Sequence, residues 1–269
     1  MDEAELIALA GPRPALPPAG RLRGKVCLVT GATSGIGRAT ALRMAGEGAR
    51  AVVLGGRRQA LGEAVAAEIA ALSAEPLFLA GDVTREADAA ALVAATLGRF
   101  GRLDCAFNNA GFQERRAPVA AQSDATYAQV FDANVRSLCH ALRHQVPALL
   151  AGGGGAMVVN TSVSGLRNPN PGLALYAASK AAAIALMRAA AMENAPQGLR
   201  INAVAPGRVV TEMMLASGIA DMRQVAAGLP LRRMGHPEEV AAAVCWLLSA
   251  EASFVVGHVL CTDGGFLAG

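Results

Sequence analysis

Tyr176 and Lys180 are the two residues whose types and spacing best suit acid/base chemistry. They lie four positions apart in the helix-favouring run YAASK, and side chains at this spacing share one face of a helix. At about 4 Å and an effective dielectric constant of about 20, an ammonium group stabilises a phenolate by roughly 4 kcal/mol. The pair therefore predicts a tyrosine pKa lowered by about three units to near 7, where a general acid or base works.

Other polar side chains stand at the ends of apolar runs that are typical of buried strands. The run 156–159 leads into residues 160–162 (NTS), another run ends at 108–111 (NNAG), and Asn134 lies in a helical segment between them. Near the N-terminus, the turn 30–37 (TGATSGIG) follows a strand and opens a helix, as phosphate-binding turns do. Because open α/β sheets place chemistry at strand ends, these segments predict one shared site.

In this order and spacing, the turn 30–37, the segment 108–111 and the Tyr176/Lys180 pair resemble the short-chain dehydrogenase/reductase family, from about Leu22 to the C-terminus. The resemblance implies an α/β protein: a single-domain, doubly wound Rossmann fold whose parallel sheet of about seven strands has helices on both faces. The alternation of short apolar runs with longer helical segments independently favours parallel strands joined by helical crossovers. Residues 22–269 form this domain, and residues 1–21 are a Pro-rich extension.

The same alternation predicts where the elements begin and end. Strands are expected at 26–30, 51–54, 76–80, 103–108, 156–162, 200–205 and 256–262, and helices include 35–46, 59–72, 124–150 and 173–194. The extension is expected to lie over the surface as a mobile or extended tail, with an arm reaching a neighbouring subunit as the alternative. The apolar stretch within residues 208–230 is expected to be a mobile lid over the substrate, although such stripes are usually core.

The resemblance implies an oxidoreductase that interconverts a ketone or other carbonyl and a secondary alcohol by hydride transfer. Tyr176 is then the general acid/base, Ser162 binds the carbonyl oxygen, Lys180 also binds the nicotinamide ribose, and Asn134 holds a water that relays protons. Ser164 is the rival of Ser162, which is preferred because it closes the predicted strand. The alternatives are a non-catalytic sensor or scaffold, which would be expected to have lost Tyr176 or Lys180, and a reductase of a C=C or C=N bond.

Cofactor binding is assigned by resemblance to several segments, each of which taken singly is also explained as a tight turn or a helix cap. The residues are Gly31, Thr33, Ser34, Gly35, Ile36 and Gly37 in the glycine turn; Asp82 and Val83 beside the adenine; Asn108, Ala110 and Gly111 along the cofactor; Tyr176 and Lys180; and Pro206, Gly207, Val209 and Thr211 near the nicotinamide.

Arg57 and Arg58 indicate NADP(H) as the cofactor. Proteins that prefer NAD place an acid about 20 residues after the glycine turn, but no Asp or Glu occurs between Gly48 and Gly62. Glycine stands where NAD-using members carry the acid, and Arg57 follows directly. A guanidinium can bind a 2′-phosphate through paired charge-assisted hydrogen bonds, and cations are disfavoured at a helix N-terminus unless an anion accompanies them. Arg57 is the preferred partner.

Composition restricts the other possibilities. The formal net charge is only +3 and no basic stripe with interleaved aromatics occurs, so nucleic-acid binding is not expected. The five cysteines form no CxxC pair and predict buried thiols in a reducing compartment, without a metal site. No signal peptide or membrane anchor is apparent at the N-terminus, and a cytoplasmic location is expected. Helices 124–150 and 173–194 are so apolar that a homotetramer is expected. The apolar residues of the lid and of the loop 112–116 suggest a medium-sized apolar carbonyl compound as the substrate.

Overall fold

A computed structural model describes residues 2–16, 18–167 and 171–268 of the protein. Met1 and Pro17 of the N-terminal extension, residues 168–170 of the loop before Tyr176, and Gly269 lie outside these residues. Within the described chain, seven parallel strands form one sheet in the order β3-β2-β1-β4-β5-β6-β7. The strands are β1 (Val26–Thr30), β2 (Ala51–Gly56), β3 (Glu75–Ala80), β4 (Cys105–Asn108), β5 (Gly155–Asn160), β6 (Leu199–Pro206) and β7 (Val259–Thr262).

The direction of winding reverses between β1 and β4. Thr30 at the end of β1 pairs with Gly55 of β2 on one side and with Asn108 of β4 on the other. Connections leaving the two strands therefore diverge, which opens a crevice at their carboxyl ends. This arrangement confirms the predicted doubly wound α/β fold and places the expected site segments at one edge of the sheet.

Helices cover both faces of the sheet. They are α1 (Glu3–Ala8), α2 (Gly35–Gly46), α3 (Gln59–Ala71), α4 (Glu86–Phe100), α5 (Asp124–Phe131), α6 (Ser137–Ala151), α7 (Ala174–Asn194), α8 (Glu212–Leu215), α9 (Met222–Gly228) and α10 (Pro237–Leu248). Cys27 and Val29 of β1 belong to the core beneath α2, α3 and α10, whereas Val26 and Leu28 belong to the core beneath α4, α6 and α7. Successive strand residues thus enter opposite apolar layers, so the strand is apolar throughout.

Most predicted boundaries agree with the structure, and the differences have local causes. β2 continues two residues further to Gly56, and β5 ends at Asn160, so that Thr161 and Ser162 follow the strand instead of closing it. β7 begins at Val259 instead of residue 256, because Gly257 adopts φ +68°, a left-handed conformation that interrupts an extended strand.

The predicted helix 124–150 is two helices, α5 and α6, joined by a π-helical turn at Asp132–Arg136. A π turn accommodates one extra residue within a helix and is frequent at functional sites. Asn134 lies in this turn, where its side-chain amide bonds to the backbone of Phe112. These bonds to a neighbouring loop depend on the tertiary structure, which explains why the helical pattern of the sequence does not reveal the interruption.

The N-terminal extension packs against residues 208–230 of its own chain, the segment predicted to be a lid and called the lid below. Leu6 and Ala10 are fully buried in a small apolar cluster that includes Met222 of α9 and Met234. The Met234 N–H donates to the Leu9 carbonyl at 3.0 Å. The first part of the extension is therefore a docked helix instead of the mobile or extended tail that was expected, and it covers an apolar face of the segment 208–230.

Two expectations from composition are modified. Cys27, Cys105 and Cys245 are buried, but Cys139 is half-buried and Cys261 is exposed because it lies on the edge strand β7. The stretch Ala174–Gln197, which contains α7, is long and apolar enough to cross a membrane by length and composition. Half of the residues in its most apolar window are buried inside the fold.

Candidate active site

A cleft of about 670 Å³ lies at the carboxyl ends of the strands. One part is lined by the glycine turn between β1 and α2, and another by Ser162, Tyr176 and Lys180. All the predicted site residues line this cleft except Gly37, Asn108 and Asn134. The fold therefore brings the expected cofactor residues and catalytic residues into one continuous space.

The candidate catalytic residues are close together and almost completely buried. Tyr176 is 8% exposed and Ser162 is 7% exposed, and Ser162 lies near enough to the Tyr176 phenol to lower its pKa. The Lys180 Nζ donates to the Asn160 carbonyl at 2.8 Å and lies 5.7 Å from the centroid of the Tyr176 ring. A phenol, a hydroxyl and an ammonium therefore lie together in the cleft, and the hydroxyl that acts on the phenol is that of Ser162, the preferred serine.

The pKa of Tyr176 is raised, whereas the sequence predicted that it would be lowered. Burial raises the pKa of Tyr176 above its ordinary value, and the nearby charge of Glu114 adds to this effect. The hydrogen bond with Ser162 and the charge of Arg208 act in the opposite direction without cancelling it. The expectation neglected burial, because the helical spacing shows which face Tyr176 occupies but not how much water reaches it. In this structure the phenol is protonated at neutral pH.

Lys180 is also strongly affected by burial. Its side chain is 4% exposed, and burial lowers the pKa of Lys180 to about 8. An ammonium group in such surroundings titrates closer to neutrality than a solvated lysine. Near pH 7 the side chain remains mostly charged and bonded to the carboxyl end of β5.

Asn134 lies beside this group but does not line the main cleft. Its Oδ1 accepts from the Phe112 N–H at 2.8 Å, and its Nδ2 donates to the Phe112 carbonyl at 2.8 Å and to the Ser179 hydroxyl at 2.9 Å. With Lys180 and Asn160 it lines a second cavity of about 80 Å³. This volume accommodates ordered water, because the centre of a single water molecule needs only about 10–15 Å³ of free space.

The glycine turn is shaped to accept a phosphate group. Gly31 has φ +64°, and a Cβ atom there would lie 2.9 Å from the Ala110 Cα. A Cβ on Gly37 would lie 2.1 Å from the Gly31 carbonyl oxygen, which explains a glycine that packs the turn without lining the cleft. Ser34 precedes α2 without capping it through its side chain, so backbone N–H groups at this helix N-terminus face the cleft. The turn therefore fits the pyrophosphate of a dinucleotide.

Arg57 and Arg58 lie beside this turn but are held differently. Arg57 is 77% exposed at its side chain and has a loose contact of 3.9 Å with Asp82. Arg58 donates to the hydroxyls of Thr33 at 3.0 Å and Ser34 at 2.5 Å, and pairs with Glu212 at 2.8 Å. Arg58 therefore ties the glycine turn to the lid, whereas Arg57 can turn towards a ligand at low cost.

Asn108, which was assigned to cofactor binding, does not line the main cleft, whereas its neighbour Asn109 does. The Asn108 amide pairs reciprocally with buried Gln145 of α6, at 2.9 and 3.0 Å, and faces away from the main cleft. Asn109 lines the cleft, donates to the Gly31 carbonyl at 3.1 Å and accepts from Asn160 at 2.8 Å. Asn108 and Asn109 both belong to the motif NNAG. Because β4 ends at Asn108, the side chain of Asn109 faces the crevice, and the motif alone does not show where the strand ends.

Four further charged residues line the cleft and are absent from the sequence-based assignment: Arg116, Asp132, Arg208 and Glu212. Glu212 follows the assigned Thr211, and Arg208 stands between the assigned Gly207 and Val209. Because they adjoin assigned residues, Arg208 and Glu212 could have been identified as candidates from the sequence. The direction of each side chain depends on the path of the lid, which local patterns do not determine.

Comparisons with known proteins agree with this site. A family model described as Enoyl-(Acyl carrier protein) reductase matches residues 31–267. The A-factor type gamma-butyrolactone 1′-reductase (1S-forming) of Streptomyces virginiae is 39% identical over 250 residues, which cover 92% of this chain and 97% of that protein. The cyclohexanol dehydrogenase of Acinetobacter sp. (strain SE19) is 37% identical over 246 residues, covering 91% and 96%. The crystal structure of levodione reductase superposes with a TM-score of 0.88 at 36% identity, covering 92% of this chain and 99% of that one. The fold, the site and these similarities together show that the chain belongs to the short-chain dehydrogenase/reductase family.

Proposed function

We propose that the protein is an NADP(H)-dependent oxidoreductase that interconverts a ketone or related carbonyl and a secondary alcohol. The observation that carries this proposal is the buried Tyr176 phenol, which lies beside Lys180 and shares with Ser162 a cleft that also contains the phosphate-binding turn. The names of the relatives, which include a reductase and a cyclohexanol dehydrogenase, support the reaction class.

The residues divide the work according to their chemistry. When bound, the nicotinamide cofactor supplies or accepts the hydride. Tyr176 donates its proton to the carbonyl oxygen during reduction and recovers it during oxidation, and its raised pKa keeps the phenol protonated at neutral pH. Ser162 donates a hydrogen bond to the same oxygen, and Lys180 supplies positive charge beside the phenol. Asn134 and the cavity it lines provide a place for a water that restores the proton.

Reduction of a C=C bond is a second candidate, because the matched family model is described as an enoyl reductase. The discriminating experiment is a screen of cyclic ketones, secondary alcohols and enoyl thioesters with both nicotinamide cofactors, followed by cofactor absorbance. Turnover of ketones or alcohols without turnover of enoyl thioesters is expected. Turnover of enoyl thioesters alone would replace the first proposal by the second. Cofactor binding without turnover of any class would favour a sensor.

The cofactor preference is expected to depend on Arg57. Replacing Arg57 by alanine removes the exposed guanidinium beside the glycine turn and should lower the ratio of kcat/KM for NADPH to that for NADH by about 10-fold, the value of one charge-assisted hydrogen bond. Arg50→Ala is the matched control, because Arg50 immediately precedes β2 at its opposite end and contacts Glu75 at 4.0 Å. Better use of NADH by the wild type, or an unchanged ratio in Arg57→Ala, would contradict the assignment.

We also propose a homotetramer. Tyr127 of α5 and Met192 of α7 are 51% and 59% exposed on helices that the fold leaves at the surface. Burying such apolar groups against another subunit is favourable. Light scattering at micromolar concentration should give four times the chain mass of 27.3 kDa. A monomer under these conditions would rule out the assembly.

A further inference from the structure

Two arginines line the substrate end of the cleft. Arg116, from the loop after β4, and Arg208, at the start of the lid, share this space with Tyr176. Apolar side chains also line this cleft, among them Leu173, Met213 and Met214. The expectation of an apolar substrate considered only apolar residues around the cleft and did not include the two arginines.

Arg116 is fixed in place by the backbone. Its Nε donates to the Ser217 carbonyl of the lid at 3.2 Å, and its Nη1 donates to the Pro171 carbonyl at 2.9 Å. A guanidinium has five N–H groups, so these two bonds orient the plane without using all of its donors. Arg116 therefore presents a positioned positive charge where the lid meets the loop before α7.

Arg208 is held from the other side. Its carbonyl accepts from the Gly235 N–H at 2.8 Å, and its guanidinium carbon lies 5.7 Å from the centroid of the Phe266 ring. Burial and the charge of Arg116 lower the pKa of Arg208, and the charge of Arg208 in turn acts on Tyr176. Both arginines and the phenol are thus within electrostatic reach of one another.

The carboxylates that line the cleft within the described chain are engaged away from these two arginines. Glu212 pairs with Arg58 at 2.8 Å, and Asp82 lies 3.9 Å from Arg57, both beside the glycine turn. Asp132 pairs with Arg136 at 3.1 Å. Glu114 is buried behind the cleft, where it accepts from the Tyr176 N–H at 3.1 Å. Arg116 and Arg208 therefore bring positive charge to the part of the cleft that holds Tyr176, which favours an anionic ligand there.

We propose that the substrate of the oxidoreductase inferred above is an oxo-carboxylic acid, with its carbonyl at Tyr176 and Ser162 and its carboxylate bound by Arg208 and Arg116. The inference rests on the proposed function and extends it to a substrate class. Guanidinium groups bind carboxylates through directional, charge-assisted hydrogen bonds, and the apolar wall suits a hydrocarbon skeleton between the two polar ends.

The test compares two ketones that differ in charge but hardly in shape, 4-oxocyclohexanecarboxylate and 4-oxocyclohexanecarboxamide. The wild type should reduce the carboxylate with kcat/KM about 10- to 100-fold above that for the amide, because hydrogen bonds to charged groups are the stronger ones. Arg208→Met should bring this ratio close to one, and Arg208→Lys should retain part of it. The ratio is used because the charge of Arg208 also acts on Tyr176, an effect that both compounds share.

Arg115→Met is the matched control, since Arg115 neighbours Arg116 but is exposed and does not line the cleft. Its ratio should equal that of the wild type. Reduction of the amide as fast as the carboxylate would overturn the substrate class while leaving the oxidoreductase in place. An unchanged ratio in Arg208→Met would overturn the assignment of the anion site. Failure of the wild type to reduce any ketone in the screen would instead overturn the proposed function and this inference with it.

Discussion

Tyr176→Phe should lower turnover by about 100- to 10,000-fold, the contribution of general acid/base catalysis. The phenol is the proton donor assigned to the carbonyl oxygen, and phenylalanine removes it while the ring continues to fill the same buried space. Cofactor affinity, measured by titrating the fluorescence of the reduced cofactor, should change little.

The chain provides a matched control for this variant, since Tyr127 is its only other tyrosine. Tyr127 is 51% exposed and stacks on Phe131 at 4.3 Å, away from the cleft. Tyr127→Phe should therefore keep full turnover. Near-normal activity in Tyr176→Phe would remove Tyr176 from the mechanism.

Lys180→Met should abolish most activity and at the same time make the protein more stable. Loss of the positive charge beside Tyr176 should reduce turnover by about 100-fold or more, as removal of other electrostatic groups from active sites does. Burial disfavours the charged form: the difference between a folded pKa of about 8 and an ordinary 10.5 corresponds to roughly 3 kcal/mol. Methionine has a similar length and can fill the same space. Because Lys180→Met also loses the hydrogen bond to the Asn160 carbonyl, the expected gain in stability is smaller by about 1 kcal/mol.

The sign of this effect can be checked against pH. The folded pKa of Lys180 lies below the unfolded one, so the unfolded chain binds more protons than the folded chain between about pH 8 and 10.5. The free energy of unfolding of the wild type therefore rises with pH through that window, as the cost of the buried charge disappears. The free energy of unfolding of Lys180→Met should therefore exceed that of the wild type by about 2 kcal/mol at pH 7, and the gain should disappear towards pH 10.5. Lys25, the only other lysine and an exposed one, supplies the control Lys25→Met. A destabilised Lys180→Met at pH 7 would show that the lysine is a favourable part of the core.

The sheet could be predicted from the sequence because its strands are apolar on both faces and are punctuated by glycine. β1 and α2 have the ranges that the pattern predicted, because the turn 30–37 marks the end of β1 and the start of α2. The π turn at Asn134 could not be predicted, because bonds to Phe112 from a distant loop hold it. Local patterns describe elements well, but they do not contain the contacts between elements.

The same distinction applies to the site. Tyr176, Ser162 and Lys180 come together as expected, since each belongs to a segment that ends or begins at the crevice. The predicted pKa of Tyr176 is wrong in direction because burial, a property of the whole fold, outweighs any charge that helical spacing can indicate. Arg208 could not be assigned from the sequence because its direction depends on the path of the lid.

The docking of α1 on the lid also constrains the order in which the molecule can be completed. Leu6 and Ala10 are buried by a cluster that includes Val210, Met222 and Met234, which lie far from them along the chain. Until those residues have folded, the apolar side of α1 has no surface to bind, and closing so long a loop contributes to a late step. Attachment of α1 is therefore expected late in folding, although α1 precedes in the chain the residues that bury it.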